Sequence, residues 1–209
     1  MAQASMQGVA ARAGRIGPNA ITRVAEVLRA KRGEATTSAL FGRAGLHAYL
    51  TRPPESMVDE AEVTRLHQAL RESLGSKAAR DVAREAGTRT AEYLLAHRIP
   101  RPAQALLKRL PAPLAARALL SAIRGHAWTF AGSGRFEARA GHPVVLTITG
   151  NPMCRGAALS EPGCDFYAAT FERLFRVLVH PDTSAVETHC EACGDPCCRF
   201  ELRWDGRRA

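Results

Sequence analysis

Residues 185–204 read Ala-Val-Glu-Thr-His-Cys-Glu-Ala-Cys-Gly-Asp-Pro-Cys-Cys-Arg-Phe-Glu-Leu-Arg-Trp, and the two ends of this stretch decide the fold class. Ala185–His189 and Cys198–Trp204 each alternate with period two, the pattern of a strand with one face in a core. Gly194-Asp195-Pro196 supplies a tight turn between them. An antiparallel strand pair is therefore predicted, with cysteines gathered at its closed end. Upstream, 165–179 has helical spacing, with Phe166, Ala169, Leu174, Phe175 and Leu178 on the core side. Val144–Thr149 reads as a further strand, ended by Gly150-Asn151-Pro152. Ala127–Ala131 and Arg135–Arg139 read as a hairpin about Gly132-Ser133-Gly134.

Before Gly125 the pattern is helical. Ile21, Val24, Ala25, Val27 and Leu28 share a face, with Pro18-Asn19 as a start and Gly33 as a stop. Further helices are expected over 35–50, 58–74 and 76–99, and two shorter ones over 103–110 and 114–123, set apart by Pro100, Pro102, Pro111 and Pro113. Helices first and strands after define an α+β protein, with N-terminal helices packed on a C-terminal mixed or antiparallel sheet. Residues 1–17 are expected to be a flexible lead. Residues 18–209 are expected to form one domain, with a helical half (18–124) and a sheet half (125–209).

Apolar residues make up 46% of the 209 and charged residues 23%, as in ordinary globular chains. The formal net charge is +9, and residues 1–52 hold eight Arg and Lys against two Glu. The basic excess is thus concentrated in the first quarter, and no basic stripe interleaved with aromatics appears, which argues against a nucleic-acid partner. A solvated basic face is the plain reading; docking to an acidic partner or an anionic membrane is the sharper one. There is no apolar run of bilayer length, so no transmembrane segment is expected. The first residues lack a secretory pattern, so a cytoplasmic protein is expected.

All six cysteines follow residue 150. In a reducing compartment such clustering points to a metal site rather than to disulfides. Zinc takes four ligands in a tetrahedron, and thiolate is its usual structural donor. Two donor sets fit the spacing. One is all-sulfur: Cys164, Cys190 and Cys193 with Cys197 or Cys198. The other is Cys164, Glu187, Cys190 and Cys198. Cys190-x2-Cys193 is followed by Gly194 rather than His, which excludes covalent haem attachment. An iron–sulfur cluster would also need four cysteines. A thioredoxin-like pair lacks its strand-then-helix context.

Cys164 followed by Glu187-x2-Cys190-x7-Cys198 resembles the zinc pattern of the 4-vinyl-reductase-type domain, a small-molecule-binding module also found as the sensor of aromatic-responsive transcriptional activators. The likeness runs over about 120–205, including Gly150-Asn-Pro-Met-Cys-Arg-Gly, Cys164-Asp-Phe-Tyr and Cys198-Arg-Phe-Glu-Leu. It implies Cys164, Glu187, Cys190 and Cys198 as the metal ligands, a structural zinc pinning the hairpin, and Cys193 and Cys197 as bystanders. Three thiolates and a carboxylate on a dication leave excess negative charge, which Arg155 or Arg199 is expected to offset.

The length and helical layout most resemble a stand-alone, pigment-pathway member of that family. The resemblance implies a magnesium-porphyrin or chlorophyllide ligand and a part in bacteriochlorophyll or chlorophyll synthesis, as carrier or as accessory to 4-vinyl (8-vinyl) reduction. Other pigment-pathway enzymes, a second copy of the chain, and a peripheral place at the photosynthetic membrane are the implied associations. The alternatives are a true 4-vinyl reductase using an external hydride donor, and a ligand-sensing regulatory module. Gly132-x-Gly134 lacks the third glycine of a dinucleotide fingerprint and sits in a predicted hairpin; no GxxxxGK[ST] occurs. A flat ligand wants aromatic walls and an axial His. His126, Trp128, Phe130, Tyr167 and Phe171 are the residues expected to supply them, while His67 and His97 are expected to be ordinary helix residues.

Overall fold

The computed structural model describes residues 14–205. Most of the expected N-terminal lead, residues 1–13, lies outside them. Its last residues are ordered by pairing: β1 (Arg15–Ile16) runs antiparallel to β2 (Val58–Asp59), with Ile16 buried opposite Val58. Helices follow in the predicted order. They are α1 (Asn19–Arg43), α2 (Glu60–Leu74), α3 (Ser76–His97), α4 (Arg101–Arg109), α5 (Ala112–Gly125), a single turn α6 (Trp128–Ala131), and α7 (Asp165–Leu178) within the sheet half.

Two expectations need correction. The helices expected on either side of Gly33 are one element, α1, kinked where Gly33 takes φ 79° and ψ 171°. Only glycine holds that conformation cheaply, so the breaker bends the helix without ending its line. The second half stops at Arg43, and 47–50 form a 3-10 turn. Ala127–Ala131, expected as a strand, is α6. Its apolar residues do alternate, but Ala127 C=O accepts from the Ala131 N–H (2.8 Å), and a run of five is too short for periodicity to decide.

The sheet is β3 (Arg135–Arg139), β4 (Val144–Thr149), β6 (Cys198–Arg203) and β5 (Ser184–His189), in the order β3-β4-β6-β5 and antiparallel throughout. The predicted α+β class holds, and the sheet is antiparallel rather than mixed. Val144, Leu146 and Ile148 on β4 stand opposite Leu202, Phe200 and Cys198 on β6, all of them buried. Period two thus turns Cys198 inward and leaves Cys197 out of phase. Phe130, Phe136, Tyr167, Phe171 and Phe200 interlock beneath the sheet at centroid distances of 5.0–6.3 Å.

The two halves are joined where α3 crosses α7. Ala79, Ala83, Ala86 and Gly87 give α3 a flat, buried face. A Cβ on Gly87 would overlap the Phe166 carbonyl oxygen and stand 2.9 Å from its carbon, so the helices meet backbone to backbone. Thr170 donates to the Gly87 carbonyl (3.0 Å) across the crossing.

Glu60, the first residue of α2, is buried and ties this helix to the sheet half. Its carboxylate accepts from Ser133 N–H (2.7 Å), the Ser133 hydroxyl (2.6 Å) and Arg155 (2.6 Å). Burial pushes this carboxyl up, but the bonds from Arg155 and Ser133 outweigh it and hold the carboxyl below its ordinary value. A depressed carboxylate pKa stabilises the fold above the unfolded value, about 4.5, and that contribution fades as pH falls through the folded one. Glu60→Gln should therefore lower Tm at pH 7 and flatten the fall in stability below pH 4.5, read by thermal melts across pH. An unchanged acid limb would show that Glu60 contributes nothing to it.

Candidate metal centre

Four segments meet at one end of the sheet, each bringing a cysteine. Cys154 lies in the loop after β4, Cys164 caps α7, Cys190 follows β5, and Cys198 opens β6. A register shift between Glu187 and His189 turns the end of β5, and Cys190 is fully buried. The four Sγ atoms all lie within 4.8 Å of one another. Four of the separations are 3.5 Å (Cys154–Cys198), 3.7 Å (Cys164–Cys198), 3.9 Å (Cys164–Cys190) and 4.0 Å (Cys190–Cys198). A tetrahedron with metal–sulfur bonds of about 2.3 Å has edges of about 3.8 Å. A single tetrahedral ion fits; sulfurs this close leave no space between them for a cluster of irons and sulfides.

Without a cation these thiols compete for charge. Hydrogen bonds from Cys154, Cys164 and Cys198 favour a thiolate at Cys190, while those same contacts with burial hold Cys164 and Cys198 protonated. Glu187 stands beside them. Its Oε2 accepts from Cys164 N–H (2.7 Å), but its buried Oε1 has no partner among the described residues. Burial, reinforced by negative charge on Cys190, pushes its carboxyl up to about 8. A buried orphan oxygen beside four converging sulfurs is the environment that a cation would complete.

The surrounding loops are held by specific bonds. Asn151, fully buried, donates from Nδ2 to Cys164 Sγ (3.2 Å), and its Oδ1 accepts from Met153 N–H (3.0 Å). Glu191 receives Gly150 N–H (2.6 Å) and Asn151 N–H (2.7 Å). Asp195 receives Cys190 N–H (2.8 Å). The offsetting cation is not one of the two expected. Arg155 goes to Glu60, and Arg199 to Glu201 (2.9 Å). Arg71 of α2 takes that place: its guanidinium donates to Met153 C=O (3.1 Å), and Cys164, Cys154 and Cys190 are the first charges it feels.

Of the expected ligands, Cys164, Cys190 and Cys198 converge; Glu187 adjoins them, and Cys154 occupies the fourth corner. Cys154 had no signal in periodicity, because it sits in a loop; its only mark was membership of a cysteine cluster. Cys193 is exposed and Cys197 half-buried, both outside the tetrad.

The expected ligand-wall residues are not brought together. His126 is exposed, with Nδ1 against Ala122 C=O (2.9 Å), and Trp128 is 62% exposed. Phe130, Tyr167 and Phe171 belong to the aromatic core, where the Tyr167 hydroxyl donates to Phe130 C=O (2.6 Å). None of the five lines the larger cleft. That cleft, about 590 Å³, opens between α2, α3 and residues 159–165. Its size is that of small-molecule sites, roughly 300–1,000 Å³. His67, Arg71, Lys77, Arg80, Arg84 and Asp165 are among its walls. Arg80 is engaged by Asp165 (2.9 Å) and Glu161 (2.9 Å). His67 is 4% exposed, lies edge-on to Phe166, and its Nε2 has no partner among the described residues; nor has Nη2 of Arg71. Burial, with the charge of Arg71, lowers the imidazole to about 3, so His67 is neutral at any ordinary pH. The helix histidine judged ordinary from sequence is thus the one that faces a cleft unpaired.

A helical half locked on a four-stranded antiparallel sheet, with a buried cysteine centre at the sheet's end, defines the class: the family model of the 4-vinyl-reductase domain matches residues 144–204. Two curated relatives extend the likeness to the whole chain. The "bacteriochlorophyll synthase 23 kDa chain" of Cereibacter sphaeroides is 46% identical over 97% of each chain, and that of Rhodobacter capsulatus is 40% identical over 93% of this chain and 89% of its own. The chain belongs to this family. The fold is also similar to that of an Fe(II) unliganded H-NOX protein from K. algicida (TM-score 0.60, 12% identity, covering 91% of this chain and 97% of the other). A second similar structure, described under "Modulating Heme Redox Potential Through Protein-Induced Porphyrin Distortion", has a TM-score of 0.52 and 15% identity, covering 91% and 96%.

Proposed function

We propose that the protein acts in bacteriochlorophyll synthesis by binding a magnesium-porphyrin or chlorophyllide intermediate, as a carrier or as accessory to 4-vinyl (8-vinyl) reduction. The kinship with two bacteriochlorophyll synthase 23 kDa chains supports the pathway, and a fold shared with a protein whose description concerns haem and porphyrin is in keeping with a tetrapyrrole. The observation that carries the ligand is the cleft wall: a buried neutral imidazole with a free Nε2, beside cationic side chains. A neutral imidazole is a metal donor, suited to the central magnesium. Arg71 and Lys77 suit the carboxylate that such pigments carry. In this reading His67 replaces His126 as the axial residue. The metal is zinc, held by Cys154, Cys164, Cys190 and Cys198, with Glu187 outside the tetrad; four protein ligands leave no open position, so its role is structural.

The test is titration of the purified full chain with magnesium porphyrins, followed by the Soret band. We expect saturable binding, and in His67→Ala an altered Soret maximum with affinity down about tenfold or more, the loss of one metal–ligand contact. Equal binding by His67→Ala, with an unchanged spectrum, would remove the axial assignment; no binding by the wild type would remove the ligand class. Turnover of divinyl substrate with NADPH alone would make the protein a reductase in its own right.

A further inference from the structure

The surface formed by α4 and α5 is unlike the rest of the molecule. Between Glu92 and Glu137 the chain has no acidic residue. Arg98, Arg101, Lys108, Arg109, Arg117 and Arg124 are all exposed, and none of the six forms an ion pair among the described residues. Elsewhere arginines are matched to carboxylates, as Arg23 is to Glu26 and Arg173 to Glu92. Three of the four exposed large apolar side chains among the described residues lie in the same stretch: Leu106 (61%), Leu114 (47%) and Trp128 (62%). Helix α4 buries none of its residues fully. On α5 the buried face is Ala112, Ala115, Ala116, Leu119 and Leu120, while Leu114, Arg117, Ser121 and Arg124 form an exposed stripe at i, i+3, i+7 and i+10.

We propose that this face is a docking surface for an anionic lipid bilayer. Cations without carboxylate partners, interleaved with Leu and Trp, suit the boundary of a charged leaflet, where each Arg or Lys near the surface contributes and indole rings settle at headgroup level. A second copy of the chain is the poorer occupant, because two such faces would bring like charges together. Leu106 and Leu114 are short anchors, so binding is peripheral, reversible and weakened by salt. This inference stands apart from the tetrapyrrole reading, since neither cleft wall nor metal centre contributes to it.

The experiment is co-sedimentation of the metal-loaded full chain with vesicles of phosphatidylcholine alone or mixed with phosphatidylglycerol, at low and high salt. We expect binding only to the mixed vesicles, reduced by salt, with a blue shift of tryptophan emission that Trp128→Phe abolishes. The triple variant Lys108→Glu, Arg109→Glu, Arg117→Glu should bind about a hundredfold more weakly, from roughly tenfold per cation near the surface. All three residues are exposed, so its circular dichroism and melting should match the wild type. No preference for the anionic vesicles, or full binding by the triple variant, would overturn the proposal. So would a blue shift that persists in Trp128→Phe. Concentration-dependent dimerisation lost in Leu106→Asp, without vesicle binding, would assign the face to a second copy instead. Capture of an acidic protein with no affinity for lipid would equally refute it.

Discussion

Cys190→Ser is expected to leave the protein without its metal and to lower its stability by more than about 4 kcal/mol, the size reserved for loss of a structural metal or comparable damage. For a chain of this length that is a fall in Tm of roughly 8–16 °C. The reason is connectivity: one ion would join the loop after β4, the cap of α7, the end of β5 and the start of β6, segments that share few other bonds. Cys164→Ser and Cys198→Ser should behave alike, and chelation of the wild type should reproduce them. Metal content by mass spectrometry and thermal melting read all three. Cys193→Ser and Cys197→Ser should keep one ion per chain, because their side chains lie outside the tetrad. Cys154→Ser and Glu187→Gln divide the two donor sets. The proposed tetrad requires that the first lose the metal and the second retain it. The opposite result would restore the carboxylate that the family resemblance implies and displace Cys154.

Gly87→Ala should be nearly as damaging, although it adds one methyl group. That methyl would overlap the Phe166 carbonyl, and backbone cannot turn aside as a side-chain tip can. Either α3 and α7 separate, opening the joint between the halves, or the bond from Thr170 to Gly87 breaks. Overpacking of this kind costs about 3 kcal/mol or more, or roughly 6–12 °C in Tm. Gly42→Ala is the matched control. Gly42 is helical, exposed, and has nothing near the position of a new Cβ. There the substitution should stabilise by about 0.5–1 kcal/mol. If both variants melted alike, close approach at the α3–α7 crossing would not be what holds the halves together.

The helices were legible wherever an apolar stripe ran for several turns, as in α2, α3 and α7. Strands β4, β5 and β6 were legible from alternation. Gly33 misled because a breaker residue announces a change of direction without saying whether the helix resumes. Ala127–Ala131 misled because five residues satisfy either period. Cys198 could be told from Cys197 once β6 was phased, since alternate residues face opposite sides.

By itself, the sequence determined the α+β class, the split between a helical and a sheet half, and the presence of a cysteine-rich centre at the end of a strand pair. These rest on periodicity and on residue chemistry, both local properties. Tertiary structure alone decided that Cys154 joins Cys164, Cys190 and Cys198, that Arg71 rather than Arg155 or Arg199 faces them, and that His67 is the histidine lining a cleft. Each of those facts concerns loops or helices distant in the chain, whose approach is set by the shape of the packed core, and no spacing along the sequence encodes a distance through it.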